Sequence, residues 1–121
     1  MDFNQSQAIY RQIAEYVSDN IQLGKWLPDE KIPSVRELAV TLEVNPNTVM
    51  RSYDHLQQQD VIYIKRGLGY YVGSAAREKI TDARKKIFLE EELPAVFAKM
   101  RLYEVSVGEV QQRFELFTRE V

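Results

Sequence analysis

Two helix-start signals lie 11 positions apart, at Ser34 and Asn45, and this spacing constrains the chain more tightly than any other feature. Ser34 followed by Glu37 matches a capping box, with Pro33 just before it, and Val35, Leu38, Ala39 and Leu42 supply a helical apolar face. Glu43-Val44-Asn45 separates this helix of about ten residues from the next. There Asn45 is a favoured N-cap and Pro46 takes the first helical position. In the second helix Val49, Ser52, Tyr53 and Leu56 fall on one side of the wheel, and Asn47, Arg51, Asp54 and Gln58 roughly opposite. The pattern is that of two short helices joined by a tight turn, the second with a polar side free to meet a partner.

The flanking segments complete a unit. From Gln7 to Leu23, Ile9, Ile13, Val17 and Ile21 recur every four residues, with Ala8 and Tyr16 widening the stripe, which predicts an amphipathic helix that Gly24 stops. Lys25 to Ile32 reads as a loop, pinned by Trp26 and carrying the charged turn Asp29-Glu30-Lys31. The runs Val61-Ile62-Tyr63-Ile64 and Tyr70-Tyr71-Val72, separated by Lys65-Arg66-Gly67-Leu68-Gly69, predict a β-hairpin. Of Tyr70 and Tyr71, which alternate across a strand, one is expected to pack inward. A long helix, a helix pair and a hairpin in this order make a winged helix-turn-helix. The expected fold class is therefore mainly α with a small β-hairpin: residues 1–74 as the winged helix-turn-helix, and residues 75–121 as a short helical segment. In that segment Ile80, Ala83, Ile87, Leu89, Leu93, Val96, Phe97 and Met100 give one long helix or two short ones, with a kink expected at Pro94. Ser106 and Glu109 form another capping box, ahead of Val107, Val110, Phe114, Phe117 and Val121.

Composition narrows the chemistry. With 121 residues there is room for one compact domain and a short appendage. There is no cysteine, and the single histidine, His55, cannot supply a multi-histidine metal cluster. No catalytic residue, cofactor or metal ligand is assigned. No apolar run approaches the roughly 20 residues of a membrane span, and Met1-Asp2-Phe3-Asn4-Gln5 lacks the features of a signal peptide, so the expected location is cytoplasmic. Sixteen basic residues against 18 acidic ones give a net charge of −2. Attraction to a polyanion must then come from a local arrangement of a few cations.

The outward residues supply such an arrangement. The second helix of the pair can enter the major groove with its N-terminal turns against base edges, while the hairpin tip reaches adjacent phosphates. Arg51 can present two parallel donors to guanine, Asn47 can pair with adenine or hold a phosphate, and Thr48 flanks them. Lys65 and Arg66 sit at the tip, where Gly67 and Gly69 permit tight turns and close approach. Each residue also has a purely structural use: Arg36 could pair with Glu37 or Asp60, Arg51 with Asp54, and the tip cations could simply keep the hairpin soluble.

Ile32-Pro33-Ser34-Val35-Arg36-Glu37-Leu38-Ala39 resembles, with one conservative change, the Leu-Pro-Ser-x-Arg-x-Leu-Ala signature of the GntR family of transcription regulators. Gly24 to Pro28, Val44-Asn45-Pro46-Asn47-Thr48-Val49 and Arg66-Gly67-Leu68-Gly69-Tyr70-Tyr71-Val72 resemble the family's loop, recognition-helix start and wing, so the likeness covers roughly residues 7–73. It implies DNA contacts at Ser34, Arg36, Asn45, Asn47, Thr48, Arg51 and Lys65 to Gly69, including Arg66 and Gly67. Met50 departs from the arginine many members carry, which leaves its base-reading role absent or moved to Arg51. Asn-Pro-Asn-Thr-Val and the short tail are similar to the YtrA branch. That likeness implies a tail used for dimerisation, here through Ile87, Val96, Phe97, Val110, Phe114 and Phe117, and control of neighbouring transporter genes. The expected function is a homodimeric, sequence-specific DNA-binding regulator, a repressor on a palindromic operator, with double-stranded DNA and a second copy as partners. No membrane contact is expected, and any small-molecule effector stays unassigned. The alternative is a winged-helix protein-interaction module without DNA binding, which the acidic balance would suit.

Overall fold

Residues 7–120 are described by a computed structural model. The N-terminal segment behind the expectation of no leader, and Val121, lie outside them. Helices α1 (Ile9–Gln22), α2 (Val35–Leu42) and α3 (Pro46–Gln58) precede the hairpin β1 (Ile62–Lys65) and β2 (Gly69–Val72). Then follow α4 (Ala76–Ile87), a π-helical turn (Phe88–Glu92), α5 (Leu93–Leu102) and α6 (Val107–Glu120). This is the winged helix-turn-helix with C-terminal helices that the sequence predicts. All three N-terminal caps around the helix pair and the tail form as expected. Ser34 Oγ accepts the Glu37 N–H at 3.1 Å while Glu37 Oε1 accepts the Ser34 N–H at 2.9 Å. Asn45 Oδ1 accepts the Asn47 N–H at 2.8 Å, and Ser106 and Glu109 repeat the reciprocal pattern.

The core of the first unit is built from one face of each helix. Ile13, Val17 and Ile21 of α1, Leu38 and Leu42 of α2, and Val49, Ser52, Tyr53 and Leu56 of α3 are buried, together with Ile62 and Val72 of the hairpin. Ile9, expected in the α1 stripe, is exposed, because it stands in the first turn beyond the reach of the core. The strands pair antiparallel with Tyr63 opposite Tyr71 and Lys65 opposite Gly69. Part of the segment read as a loop joins them. Asp29 N–H donates to Val72 O, Val72 N–H to Glu30 O and Ile32 N–H to Tyr70 O, at 2.8–2.9 Å, so residues 29–32 run along the outer edge of β2 and satisfy its backbone groups.

Helix ends explain the short turns. After α1, α2, α3 and α5 one residue takes a left-handed conformation: Gly24 (φ 77°), Glu43 (56°), Asp60 (59°) and Glu104 (58°). In each case the next residue's N–H reaches back to a carbonyl in the last turn, as from Val44 to Ala39 at 3.0 Å and from Val61 to Leu56 at 3.0 Å. Three of these four residues are acidic, at a cost of about 1–2 kcal/mol each relative to a relaxed backbone.

The composition change after Ser74 does not coincide with the packing boundary. Ala76 and Ile80 are buried in the first unit, which runs through Asp82, and the second unit begins at Ala83. Within the second unit the backbone stays helical across Pro94. The irregularity comes just before it, as the π-helical turn, since proline supplies no N–H to the carbonyl of Glu90 and crowds it. No side chain of α5 or α6 is buried, and Ile87 at the end of α4 with Val96, Phe97, Val110, Phe114 and Phe117 are each 40–64 % exposed.

Gly73 carries a specific packing demand. Its N–H donates to Val61 O at 2.8 Å, and a Cβ there would stand 2.8 Å from Asp60 O and 3.2 Å from Val61 O, both fixed backbone atoms. Gly73→Ala is expected to cost about 1–3 kcal/mol, read as a fall of roughly 4–8 °C in Tm per kcal/mol by calorimetry. An unchanged Tm would mean that the closure of α3 onto β2 is loose.

Candidate nucleic-acid interface

The N-terminal turns of α3 stand at the surface because their opposite face is locked. Tyr53, fully buried, donates its hydroxyl to Pro33 O at 2.6 Å, tying α3 to the residue that precedes the α2 cap. Burial raises the Tyr53 hydroxyl pKa far above its ordinary value. Tyr70 meets the Tyr53 ring edge-on at a centroid distance of 4.9 Å, which makes it the inward tyrosine of the pair. Tyr71 instead stacks on Tyr63 at 5.7 Å with the planes 21° apart.

On the outer face Asn47 and Arg51 are exposed one turn apart, and Thr48 is half-buried beside them. With Ala8, Ile9 and Tyr10 they line a shallow hollow between the starts of α1 and α3. The Arg51 guanidinium lies 3.9 Å from the Tyr10 ring centroid rather than pairing with Asp54. Arg11 Nε donates to the Tyr10 hydroxyl at 3.1 Å, and His55 meets the same ring edge-on at 6.0 Å. The Arg11 hydrogen bond, with the positive charges of Arg11 and Arg51, lowers the Tyr10 pKa. Resting on an aromatic face restricts a long side chain while leaving the guanidinium edge able to donate. Tyr10 is a site residue that the sequence reading missed, since its position in the first turn of α1 signals nothing until α3 is docked beside it.

The wing is built on a similar principle. Lys65 Nζ sits 4.5 Å from the Tyr71 centroid and 6.0 Å from that of Tyr63, so the stacked pair carries the ammonium. Arg66 is exposed at the tip. Leu68 N–H donates to Lys65 O at 2.9 Å and Gly67 has φ 76°, the third position of a type II turn. Gly69 has φ 125°, and a Cβ on it would stand 2.9 Å from Lys31 Cε. The edge segment thus brings Lys31, a further cation that the sequence reading left in a loop, against the wing.

Two expected contact residues are engaged in capping. The Ser34 hydroxyl and the Asn45 carbonyl oxygen accept backbone N–H groups, which leaves the Ser34 O–H and the Asn45 amide as the groups able to donate outward. Arg36 is exposed on α2, and its neighbour Glu37 has its carboxylate pKa lowered first by the Ser34 backbone N–H. Among the described residues no group of three or more His, Cys, Asp or Glu could hold a metal ion, and no helix is long and apolar enough to cross a membrane.

Residues 9–72 match the model of the gntR family of bacterial regulatory proteins. The chain is 33 % identical over 91 residues to the HTH-type transcriptional repressor YtrA of Bacillus subtilis, covering 75 % of this chain and 70 % of that one. A transcriptional regulator of the same family from Bacteroides thetaiotaomicron shares the fold with a TM-score of 0.76 at 44 % identity, over 94 % of this chain and all of that structure. The DNA-binding domain of AraR in complex with an operator aligns with a TM-score of 0.54 at 31 % identity, over 60 % of this chain and 89 % of that one. A winged helix with an outward, hydrogen-bonding recognition face and cations held at the wing thus agrees in sequence and architecture with regulators of one kind, and the chain belongs to the GntR family as a small, YtrA-like, DNA-binding transcription regulator.

Proposed function

We propose that the chain is a cytoplasmic, non-enzymatic repressor that binds a palindromic operator as a homodimer near transporter genes. The constellation of exposed Asn47 and Arg51 and half-buried Thr48 on α3 with Lys65, Arg66, Gly67 and Gly69 on the wing carries this reading. A protein-interaction module would not require donors on the recognition helix and cations at the hairpin tip together. In the proposed complex Arg51 and Asn47 meet base edges, and Arg36, Ser34, Asn45 and the wing hold the backbone. The negative total charge is no obstacle, because binding scales with the phosphates neutralised locally. Repression is drawn from the likeness to YtrA, and an operator from the likeness to AraR.

Dimerisation is assigned to the second unit. Large apolar residues such as Val96, Phe97, Phe114 and Phe117 stay exposed in the single chain, and side chains of this size left to water favour a covering partner. A two-fold dimer would present two α3 helices to half-sites about 34–36 Å apart or a multiple of that distance. Light scattering of the full chain should give twice the monomer mass of 14.2 kDa. Phe114→Asp, which would force a charge into an apolar contact, should shift the chain to monomer and weaken operator binding. A monomeric wild-type chain at micromolar concentration would remove the dimer assignment.

Base reading and phosphate anchoring should separate by mutation. Arg51→Ala should cost roughly 1–3 kcal/mol per half-site and flatten preference at one base position. Lys65→Ala should weaken all sequences alike and reduce the slope of log affinity against log salt by about 0.9 for each phosphate that is no longer neutralised. Fluorescence anisotropy across operator variants and salt concentrations reads both. If Arg51→Ala left base preference intact, Arg51 would join the anchoring group, with Asn47 and Thr48 as the remaining readers.

A further inference from the structure

Asn47, Met50, Arg51 and Asp54 follow one another at steps of three, one and three along α3 and therefore share one stripe of its surface. Three of them are polar. Met50 is 42 % exposed, although its chain neighbour Val49 is fully buried. An apolar side chain with three rotatable bonds on a face otherwise suited to hydrogen bonding calls for an explanation. Its far end is also held: the Tyr70 hydroxyl donates to Met50 Sδ at 3.8 Å. Tyr70 is itself fixed against Tyr53, whose hydroxyl is bonded to Pro33 O. The thioether is thus tethered from the wing strand in a side chain that remains 42 % exposed.

We propose that Met50 is a specificity-determining residue that packs its apolar end on the C5-methyl group of a thymine in the major groove. The inference rests on the DNA-binding reading above and extends it. Methionine has no donor, and its weak sulfur acceptor is engaged by Tyr70, so the surface it has left to offer a base edge is apolar. Among the base pairs, thymine alone displays a methyl group in the major groove. The tether matters because a free methionine would lose side-chain entropy on docking that a held one has already lost. Arg51 and Met50 would then read different chemistry from adjacent positions: a pair of acceptors on guanine, and a methyl group on thymine.

Removing that single methyl tests the proposal. Sites are first enriched by the 121-residue chain from random-sequence duplex DNA, and each thymine of the consensus is then replaced singly by deoxyuridine, which pairs identically but lacks the methyl. At one thymine per half-site the wild-type chain should lose about fourfold in affinity, the worth of one buried methyl. Met50→Leu should keep most of that discrimination, and Met50→Ala should bind thymine and deoxyuridine equally there, with its preference at the guanine position and its salt slope unchanged. Because Met50 is partly exposed, both variants should keep the wild-type Tm. Indifference of the wild-type chain to every deoxyuridine, or a loss that persists in Met50→Ala, would overturn the proposal while leaving operator binding in place. Enrichment of no consensus at all would overturn both this proposal and the DNA-binding reading.

Discussion

The Tyr53 hydroxyl bond to Pro33 O is the contact on which the presentation of the recognition helix depends. A phenol with no exposed surface must find an acceptor or lose about 1–3 kcal/mol of hydrogen bonding. The acceptor it finds is the carbonyl just ahead of the α2 capping box. One side chain therefore fixes the start of α2, the middle of α3 and, through its ring contact with Tyr70, the inner strand of the wing. With the inward side of α3 immobilised, Asn47, Met50, Arg51 and Asp54 are held outward.

Two of the cations at this surface rest on aromatic rings. Arg51 lies on Tyr10, and Lys65 on the Tyr63–Tyr71 stack. Such contacts contribute only about 0.5–1 kcal/mol each at exposed positions. Their larger effect is to limit the conformations of long, charged side chains before a partner arrives. In a chain whose total charge is −2, long-range attraction is weak, so fixed local cations take its place.

The helix-turn-helix shows how backbone strain is distributed. Glu43, between α2 and α3, adopts the left-handed conformation that glycine would take without penalty. The tight turn forms regardless, since Val44 and Glu43 return their N–H groups to α2 and Asn45 caps α3 at once. The same device recurs at Asp60, where the chain swings from α3 into β1. Two satisfied donors and the burial of Val61 and Ile62 immediately beyond outweigh the strain of a single residue.

Local chemistry wrote much of this fold into the sequence. The capping boxes at Ser34 and Ser106, the Asn45-Pro46 helix start and the alternation of the hairpin rest on interactions within a few residues, and each formed as expected. So did the separation of Val49, Ser52, Tyr53 and Leu56 from Asn47, Arg51, Asp54 and Gln58, because helical periodicity alone sorts them. What depends on distant residues was not legible. The edge pairing of residues 29–32 with β2 follows from where the hairpin docks, and the burial of Ala76 and Ile80 carries the first unit past the composition change at Ser74. Tyr10 entered the site only when α1 and α3 packed together. The sequence determined which residues could face outward, since periodicity and caps act over single turns; the tertiary structure decided which of them are held, by what, and in which direction, because those contacts, such as Arg51 on Tyr10 and Tyr53 to Pro33, join different elements of the fold.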